Sequence, residues 1–268
     1  MPSYLSHALN GWADIRTALK QHQQIRVLGW QDIATRYRRS RVGAFWLTIN
    51  MGVLIGALGF VFGMLFQQPI AEYLPFLAIG LILWGLISTA IGEGCIGFTA
   101  ASDTILQVRM PFFTHVGRAI WRSLGIFAHN LLIVPIVYLV FLKPLTWTAL
   151  LVLPGFLLLI LNLSWMMLFV AVISTRFRDA TQIIQNFLQV MFYFTPIIWN
   201  PTLLPERASA MVLDLNPFYH LMQLVRAPLL GEAPSITSWM IVVLIAVLGW
   251  GLTLILFGAY RKRIPYWL

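Results

Sequence analysis

The stretch of sequence that decides the fold is Arg176–Leu230, which reads RFRDATQIIQNFLQVMFYFTPIIWNPTLLPERASAMVLDLNPFYHLMQLVRAPLL. Near its start, Asp179 is followed three residues later by Gln182, a pattern typical of a capped helix start. No charged residue occurs in Thr181–Trp199, and a helix of that length crosses the hydrocarbon of a bilayer at about 1.5 Å per residue. The stretch therefore predicts a membrane-spanning helix that begins at a basic, water-facing edge.

The segment after this helix is not an ordinary polar loop. Its two pieces, LLPERASAMVLDL and NPFYHLMQLVRAPLL, are mostly apolar, yet each is too short to cross a bilayer. Asn216 as N-cap and Pro217 at the first helical position predict that the second piece starts as a helix. Short apolar helices of this kind are tolerated only where protein or a water-filled cavity covers their ends. We expect re-entrant helices that close a passage.

Composition places the whole chain in a membrane. The 268 residues are 59% hydrophobic and 10% charged, against about 45–50% and 25% in soluble domains. The sequence predicts an all-α polytopic membrane protein with six transmembrane helices. We divide it into a cytoplasmic N-terminal arm (1–43), a six-span transmembrane domain (44–260) and a cytoplasmic C-terminal tail (261–268). The six predicted spans are Ala44–Phe66, Leu74–Gly97, Leu124–Leu142, Leu150–Ile173, Thr181–Trp199 and Trp239–Tyr260.

The distribution of positive charge sets the predicted orientation. Of the 18 lysines and arginines, all but Lys143, Arg207 and Arg226 lie in the arm, in the tail or in the loops on that same side. The positive-inside rule therefore predicts that both termini are cytoplasmic. It also explains the net charge of +9 by contact with anionic lipid headgroups, so we predict no nucleic-acid partner.

The arm carries a helical apolar pattern. Trp30, Ile33, Ala34 and Tyr37 recur at i, i+3, i+4 and i+7, which predicts an amphipathic helix lying in the membrane interface. A surface helix of a soluble domain has the same periodicity, but a membrane span begins directly after Gly43.

Four glycines of the first span, spaced four, three and four residues apart, fall on one stripe of a helix. Such stripes let another backbone approach closely. Two interpretations stay open, a symmetric contact or gate wall on the one hand and packing within the same chain on the other. The four residues are Gly52, Gly56, Gly59 and Gly63.

Two further segments have alternative interpretations. The cytoplasmic run around Val108–Phe113, which contains Arg109 and Pro111, is more apolar than a solvated loop requires; it either docks on a soluble partner or rests on the membrane. The aromatic residues near the outer end of span five form either an interfacial belt or the wall of a conduit for sugars. These residues are Phe192, Tyr193, Phe194, Trp199, Phe218, Tyr219 and Trp239.

Several kinds of chemistry are missing from the sequence. No glycine-rich phosphate loop with a lysine occurs, so we expect no nucleotide hydrolysis in this chain. No charged residue lies in the middle of a predicted span, which argues against ion-coupled transport. No set of residues is spaced as metal ligands. For the polar residues within the spans we predict interhelical hydrogen bonds; they are His129, Asn130, Asn162, Gln185, Asn186 and Gln189.

Five motifs resemble one known family. They are DIATRYRRSRVGAFWLTIN at Asp32–Asn50, VRMPFF at Val108–Phe113, RFRDATQIIQ at Arg176–Gln185, FTPIIW at Phe194–Trp199 and LNPFYHLMQLVRAPLLG at Leu215–Gly231. In this order they resemble the type-two ABC export permeases, the membrane subunits of bacterial O-antigen, capsule and teichoic-acid exporters. Thr195 stands where the family usually has serine, a change that keeps the hydroxyl beside Pro196.

The resemblance implies a homodimer in the bacterial inner membrane, with two separate ATPase subunits that carry the ATP and Mg. It implies no cofactor in this chain and a lipid-linked polysaccharide as cargo, moved from cytoplasm to periplasm. Alternatives are another cargo of the same class, such as teichoic acid, lipid or drug, and a membrane enzyme acting on lipid-linked sugars. By motif position, headgroup or pyrophosphate contacts are expected at Arg36, Tyr37, Arg38, Arg39 and Arg41, ATPase coupling at Arg109 and Pro111, and the outer gate at Pro217, Phe218 and Tyr219.

Overall fold

The structure is a computed structural model that describes residues 4–37, 42–144, 146–203, 205 and 210–268. Within these ranges the regular structure is helical, without strands. Twelve α-helices carry the fold, and short 3-10 or π turns join some of them. The α-helices are α1 (Tyr4–Lys20), α2 (His22–Tyr37), α3 (Phe45–Leu65), α4 (Ile70–Cys95), α5 (Ser102–Gln107), α6 (Phe112–Leu131), α7 (Ile133–Val140), α8 (Val152–Arg176), α9 (Asp179–Phe194), α10 (Pro217–Leu229), α11 (Ile236–Tyr260) and α12 (Ile264–Trp267).

The polytopic class is confirmed. Among the described residues, five helical segments are long and apolar enough to cross a membrane, with mean hydropathy between 1.9 and 2.7. Each overlaps one of the predicted spans. The five segments are Phe45–Leu65, Ile70–Cys95, Phe112–Val140, Trp147–Arg176 and Ile236–Trp267.

The predicted fifth span is shorter than expected. Helix α9 starts at Asp179 without a side-chain cap and ends at Phe194, five residues before the predicted end at Trp199. Pro196 explains the end, because proline lacks an amide proton and disfavours the helical conformation in the residue before it; Thr195 is extended accordingly. With 16 residues, α9 is about 24 Å long, less than the hydrocarbon thickness of about 30 Å.

Helix α4 is the centre of the bundle. It contacts α3, α6, α8, α9 and α10, and 78% of its most apolar window is buried. In contrast, only 11% of the corresponding window of α3 is buried. Most of the surface of helix α3 is therefore free to contact lipid or another protein chain.

Glycine allows the closest helix contacts. A Cβ atom added to Gly155 of α8 would lie 2.2 Å from the carbonyl oxygen of Leu224 in α10. A Cβ atom on Gly94 of α4 would lie 2.8 Å from the Cα atom of Met167 in α8. Because these neighbours are backbone atoms that cannot rotate away, any larger residue would push the helices apart.

The N-terminal arm contains two helices, each packed on the bundle. Helix α1 contacts the end of α11, where Gly258 admits the backbone of His7, and α2 runs beside α6. The predicted apolar stripe of α2 is divided, because Ile33 is buried while Trp30 is 62% exposed. The buried positions, spaced four residues apart, are Ile25, Gly29 and Ile33.

The predicted third span begins earlier than expected. Helix α6 starts at Phe112, directly after Pro111, and not at Leu124. The carboxylate of Asp14 in α1 accepts hydrogen bonds from the amides of Phe112 and Phe113, at 3.2 and 3.0 Å. A residue far away in the sequence thus satisfies the free amides of this helix start, which a search for local capping residues does not detect.

Candidate functional site

The sides of α9 have different surroundings. Leu188 is buried, and Ile184, Met191 and Phe192 are partly buried against the core. The rest of the helix is largely exposed in the protomer. In a membrane protein, the chemical character of the exposed residues indicates whether lipid, another protein surface or water lies beside the helix.

One exposed stripe of α9 is hydrophilic. Its residues recur at i, i+3, i+4, i+7 and i+11, so they lie above one another on a single face. The amide of Gln182 donates to the side-chain oxygen of Asn186 at 3.0 Å, within the same helix. We call this face the amide stripe; it consists of Gln182, Gln185, Asn186, Gln189 and Tyr193.

Beside the amide stripe lies an exposed apolar stripe. It consists of Ile183, Phe187, Val190 and Phe194, each more than half exposed. Apolar side chains suit lipid or the apolar face of another protein, whereas a row of amides does not suit hydrocarbon. Helix α9 thus sits at a boundary between an apolar and a hydrophilic environment.

Predictions for the polar residues of the spans are confirmed in part. Asn162 donates to the carbonyl oxygen of Val242 on α11 at 3.3 Å, as predicted. His129 contacts a carbonyl of its own helix, and the side-chain oxygen of Asn130 is buried without a hydrogen-bond partner. The prediction was wrong for Gln185, Asn186 and Gln189, because all three are exposed. The spacing of these residues places them on one side of α9, and this spacing could have predicted a shared hydrophilic face.

The chain after α9 forms a pinned elbow, residues 195–199. The Asn216 amide donates to the Thr195 hydroxyl at 3.0 Å, and the Tyr73 hydroxyl donates to the carbonyl of Ile198 at 2.6 Å. Ile197 is fully buried. The elbow is therefore fixed from two directions, by α4 and by the start of α10.

Arg226 of α10 is the third residue that fixes the elbow. Its side chain is 1% exposed and donates to the carbonyl of Pro196 at 2.5 Å. The guanidinium also lies 4.4 Å from the ring centroid of Phe76 and donates to Gln223. Sequence reasoning counted Arg226 only as an outer-side positive charge, because nothing near it in the sequence indicates burial.

The predicted start of α10 is confirmed. The Asn216 side chain accepts hydrogen bonds from the amides of Phe218 and Tyr219, and Pro217 occupies the first turn. The helix is buried against α4, α8 and α11. It is thus an internal helix whose N-cap residue is bonded to the elbow after α9.

The predicted aromatic set is divided by the structure. Phe218 lies edge-on to Trp84 of α4 at 5.6 Å between centroids, and Phe192 lies at 6.0 Å from the same ring. Tyr193 and Phe194 are 64% and 54% exposed. Of the remaining members, Trp199 lies at the elbow, Tyr219 on α10 and Trp239 on α11, where Trp239 is partly buried against the core. The Trp199 indole donates to the carbonyl of Tyr193, and the Tyr219 hydroxyl accepts from Gln223.

The four glycines of α3 also have different surroundings. An added Cβ atom at Gly59 would lie 2.2 Å from Leu74, and one at Gly63 would lie 3.6 Å from Tyr73, both on α4. No atom of the described chain lies within 4 Å of such an atom at Gly52 or Gly56. Half of the stripe packs within the protomer, and half is open.

The segment around Arg109 is an exposed surface at one end of the bundle. Helix α5 ends at Gln107, and Leu106 and Val108 are 60% and 50% exposed. Arg109 is also exposed, and the chain turns at Pro111 into α6. Leu106, Val108, Arg109 and Pro111 thus form a short ridge that carries apolar and basic side chains.

An ionic cluster ties α2 to α6 and α4. Asp32 of α2 pairs with Arg118 and Arg122 of α6, and Arg122 also pairs with Glu93 of α4. Burial by itself raises the pKa of the Asp32 carboxyl, but the hydrogen bonds and charges of the two arginines outweigh burial and lower that pKa. The cluster thus stabilises the charged form of Asp32.

Two groups of predicted residues are placed only in part. Arg36 and Tyr37 form the last turn of α2, whereas Arg38, Arg39 and Arg41 lie outside the described residues. Within the described residues, no group of three or more His, Cys, Asp or Glu side chains is arranged to hold a metal ion.

Comparisons with known proteins agree with this architecture. The O-antigen export system permease protein RfbA of Myxococcus xanthus is 26% identical over 194 residues, 72% of this chain and 74% of that protein. Two permeases of the same name from Klebsiella pneumoniae are 24% and 21% identical, each over 70% of this chain and 72% of the relative. Residues 23–230 match the family described as ABC-2 type transporter. Since the match covers most of the chain, this protein belongs to the ABC-2 type transporter family.

Proposed function

We propose that this chain is the transmembrane permease subunit of an ATP-driven exporter that moves a lipid-linked, O-antigen-like polysaccharide from cytoplasm to periplasm. The relatives that carry the name O-antigen export permease support the cargo. The amide stripe of α9 is the observation that carries the transport role. Four amides and a tyrosine hydroxyl on one uncovered face require water or a polar cargo beside them.

The chemistry of the stripe suits a neutral polymer. Amides donate and accept hydrogen bonds without fixed charge, so sugar hydroxyls can exchange partners along the stripe while the chain advances. Tyr193 adds a ring at the far end, on which the C–H face of a pyranose can lie. A single tight site would hold the polymer in place, whereas repeated weak contacts allow it to move.

We further propose that the conduit forms between two copies of this chain. The open glycines Gly52 and Gly56 on α3 and the apolar stripe of α9 are the surfaces a second copy would cover. Both helices contact α4, and we place the two-fold axis where the two amide stripes face each other. The ring residues Phe192 and Phe218 then support the conduit wall from behind.

The contact between α1 of the arm and the end of α11 supports a topology with six membrane crossings and both termini in the cytoplasm. Arg261 at the end of α11 donates to the carbonyl of Asn10 in α1 at 2.9 Å, so the two ends of the chain meet on one side of the bundle. A chain that crosses the membrane an even number of times has both ends on the same side. Helix α9, extended by the elbow, supplies the sixth crossing in the proposed inner-membrane topology.

We assign energy coupling to the ridge around Arg109 and Pro111. Its exposed Leu106 and Val108 offer an apolar contact to a separate ATPase subunit, which would carry the ATP and Mg. The N-terminus of α6 follows the ridge directly, so a push there would be transmitted to the ionic cluster and the bundle. At the other end, the elbow and α10 (Pro217, Phe218 and Tyr219) form the proposed outer gate.

The basic end of the arm is the proposed headgroup contact. Arg36 and Tyr37, followed by Arg38, Arg39 and Arg41, concentrate four positive charges within six residues. Pyrophosphate is the anion that such a cluster binds well, because arginine matches phosphate oxygens in pairs. The lipid end of the cargo would be held there while the glycan enters the conduit.

The test replaces Gln185 and Gln189 together with leucine in cells that depend on this chain for surface glycan. We expect surface glycan to fall roughly tenfold or more, a barrier increase of about 1.4 kcal/mol, with normal protein in the membrane. The control replaces Ile183 and Val190 of the neighbouring stripe with leucine. Unchanged surface glycan in the Gln185/Gln189 variant, or an equal loss in the control, would contradict the proposed role of the amide stripe.

A further inference from the structure

A second candidate site lies on the N-terminal arm, away from the amide stripe. An open groove of about 650 Å³ lies between α2 and α6. This volume is within the range of about 300–1,000 Å³ typical of small-molecule sites. Its lining combines two indole rings, one guanidinium and two amides. The lining residues are Gln23, Arg26, Val27, Trp30, Gln31 and Trp121.

The groove depends on a glycine. An added Cβ atom at Gly29 would lie 2.7 Å from the Trp121 ring, so glycine lets this ring approach α2 closely. The Arg26 guanidinium then lies 5.7 Å from the centroid of the Trp121 ring, a distance at which the ring attracts a cation. The ring and the charge are thus held side by side.

The charge of Arg26 has no acidic partner among the described residues. The two acidic residues of the arm are both engaged elsewhere, Asp14 at the start of α6 and Asp32 with the arginines of α6. The side chains of Gln23 and Gln31 are exposed. The groove therefore offers an uncompensated positive charge together with hydrogen-bonding groups and aromatic surface.

We infer that this groove binds the first sugar of the lipid-linked glycan together with its adjoining phosphate. The inference rests on the proposed function, which supplies the cargo. A pyranose ring would lie against the indole of Trp30, which is 62% exposed, with its hydroxyls toward the glutamine amides. The phosphate would pair with Arg26.

The position on α2 fits such a ligand. Arg36 and Tyr37 end the same helix about three turns, or roughly 15 Å, further on. A pyrophosphate is too short to reach both places at once, so the phosphate end of the cargo would occupy the groove and the proposed pyrophosphate contact one after the other. An anionic phospholipid has the phosphate but no sugar ring, and it would leave Trp30 and the glutamines without a partner. Discrimination between the two ligands is therefore the property to measure.

The experiment measures binding to the purified full-length chain in detergent by titration calorimetry. Three probes are compared: farnesyl pyrophosphate carrying one glucose, farnesyl pyrophosphate alone, and dispersed phosphatidylglycerol. The variants are Trp30→Leu and Arg26→Gln. Matched controls are Trp12→Leu and Arg16→Gln, exposed residues of α1 outside the groove.

We expect the glucose probe to bind at least fivefold more tightly than either sugar-free probe. Trp30→Leu should remove that preference, and Arg26→Gln should weaken both pyrophosphate probes about tenfold, while the controls stay within twofold of the unmodified chain. Equal affinity for all probes, no binding of the glucose probe, or unchanged binding in both groove variants would overturn the inference.

The same variants in the surface-glycan assay separate this inference from the proposed function. If deletion of the chain leaves surface glycan unchanged, the proposed function fails whatever the groove binds. If deletion abolishes surface glycan but the groove variants bind the glucose probe normally, only the assignment of the groove fails.

Discussion

Arg226 and Asp32 are charged residues whose charges are stabilised by different neighbours. Arg226 has carbonyl, amide and aromatic partners in the protein interior, whereas Asp32 is paired with two arginines at the end of the bundle. Removing one partner from such an arrangement leaves the remaining groups with fewer hydrogen bonds. Substitutions at these two positions should therefore have different signatures.

For Arg226→Met we expect a loss of stability. The carbonyl of Pro196 and the amide of Gln223 lose their donor, at a cost of about 1–3 kcal/mol for each buried group left unpaired. A loss of about 2 kcal/mol lowers the midpoint of thermal unfolding by roughly 4–8 °C in a protein of this size. Thermal unfolding in detergent measures the effect. Lys262→Met, at an exposed position, is the control, and an unchanged midpoint for Arg226→Met would contradict the role of Arg226.

Asp32 and Asp14 should respond to pH in opposite directions. The folded-state pKa of Asp32 is lowered, so its contribution to α2 docking is complete above the ordinary value of 3.8 and is lost as the pH falls through the lowered pKa. Burial raises the pKa of Asp14, and the amides of α6 and nearby Arg261 only partly offset it. The contribution of Asp14 is therefore present at low pH and declines as the pH rises through the raised pKa.

Hydrogen exchange of α1 and α2, corrected for the intrinsic dependence on pH, tests this difference. Acidification should increase exchange in α2, and Asp32→Asn should give that high exchange already at neutral pH. Asp14→Asn should be tolerated better, because the amide oxygen still accepts one hydrogen bond. Asp103→Asn on the exposed side of α5 serves as the control. Equal exchange in the Asp32 and Asp14 variants would exclude this account.

At the scale of elements, a helix contact through glycine holds α10 in place. We expect Gly155→Ala to push α8 away from α10, since the nearest neighbour of the added atom is a carbonyl oxygen. The unfolding midpoint should fall by several degrees. The control Gly251→Ala meets no atom within 4 Å and should be neutral or stabilising by up to about 1 kcal/mol, because alanine favours helix. The prediction fails if the two variants behave alike.

The elements themselves were largely predictable from the sequence. Hydrophobic length located five segments, although the third begins at Phe112 and not at Leu124, and the Asn216–Pro217 start of α10 followed from local chemistry alone. The early end of α9 was also present in the sequence as Pro196, but the apolar run beyond it concealed the break. Helix starts such as that of α6 were not predictable, because the capping Asp14 is distant in the sequence.

The candidate site was less predictable than the fold. The sequence analysis proposed aromatic residues, among them Phe192 and Phe218, as the wall of a conduit. In the structure these two rings pack on Trp84, and the amides of α9 form the exposed face. Which side of α9 is covered depends on where α4 and α8 lie, and no local pattern contains that information. The same holds for Arg226, whose burial results from the meeting of three separate segments.

At the scale of the whole molecule, α3 and α9 leave two surfaces uncovered. We expect Gly52→Leu and Gly56→Leu together to leave the protomer folded, because no described atom lies near either position, yet to prevent the proposed dimer from forming. Size-exclusion chromatography with light scattering should then show protomers in place of dimers. Gly43 is unsuitable as a control because its φ is positive, so Gly92→Leu, also without a close neighbour, is used. Dimers that persist in the double variant would place the interface elsewhere.

The packing of α1 against the end of α11 has a consequence for biosynthesis. The hydrogen bond from Arg261 to Asn10 joins residues 251 positions apart, so α1 leaves the ribosome long before α11, one of the helices it packs against, exists. Until α11 is synthesised, α1 can pack only against α6, whose first amides donate to Asp14, and its contact with α11 completes the packing of the arm. Nascent chains arrested before α11 should therefore expose α1 to added protease, and release of the finished chain should protect it.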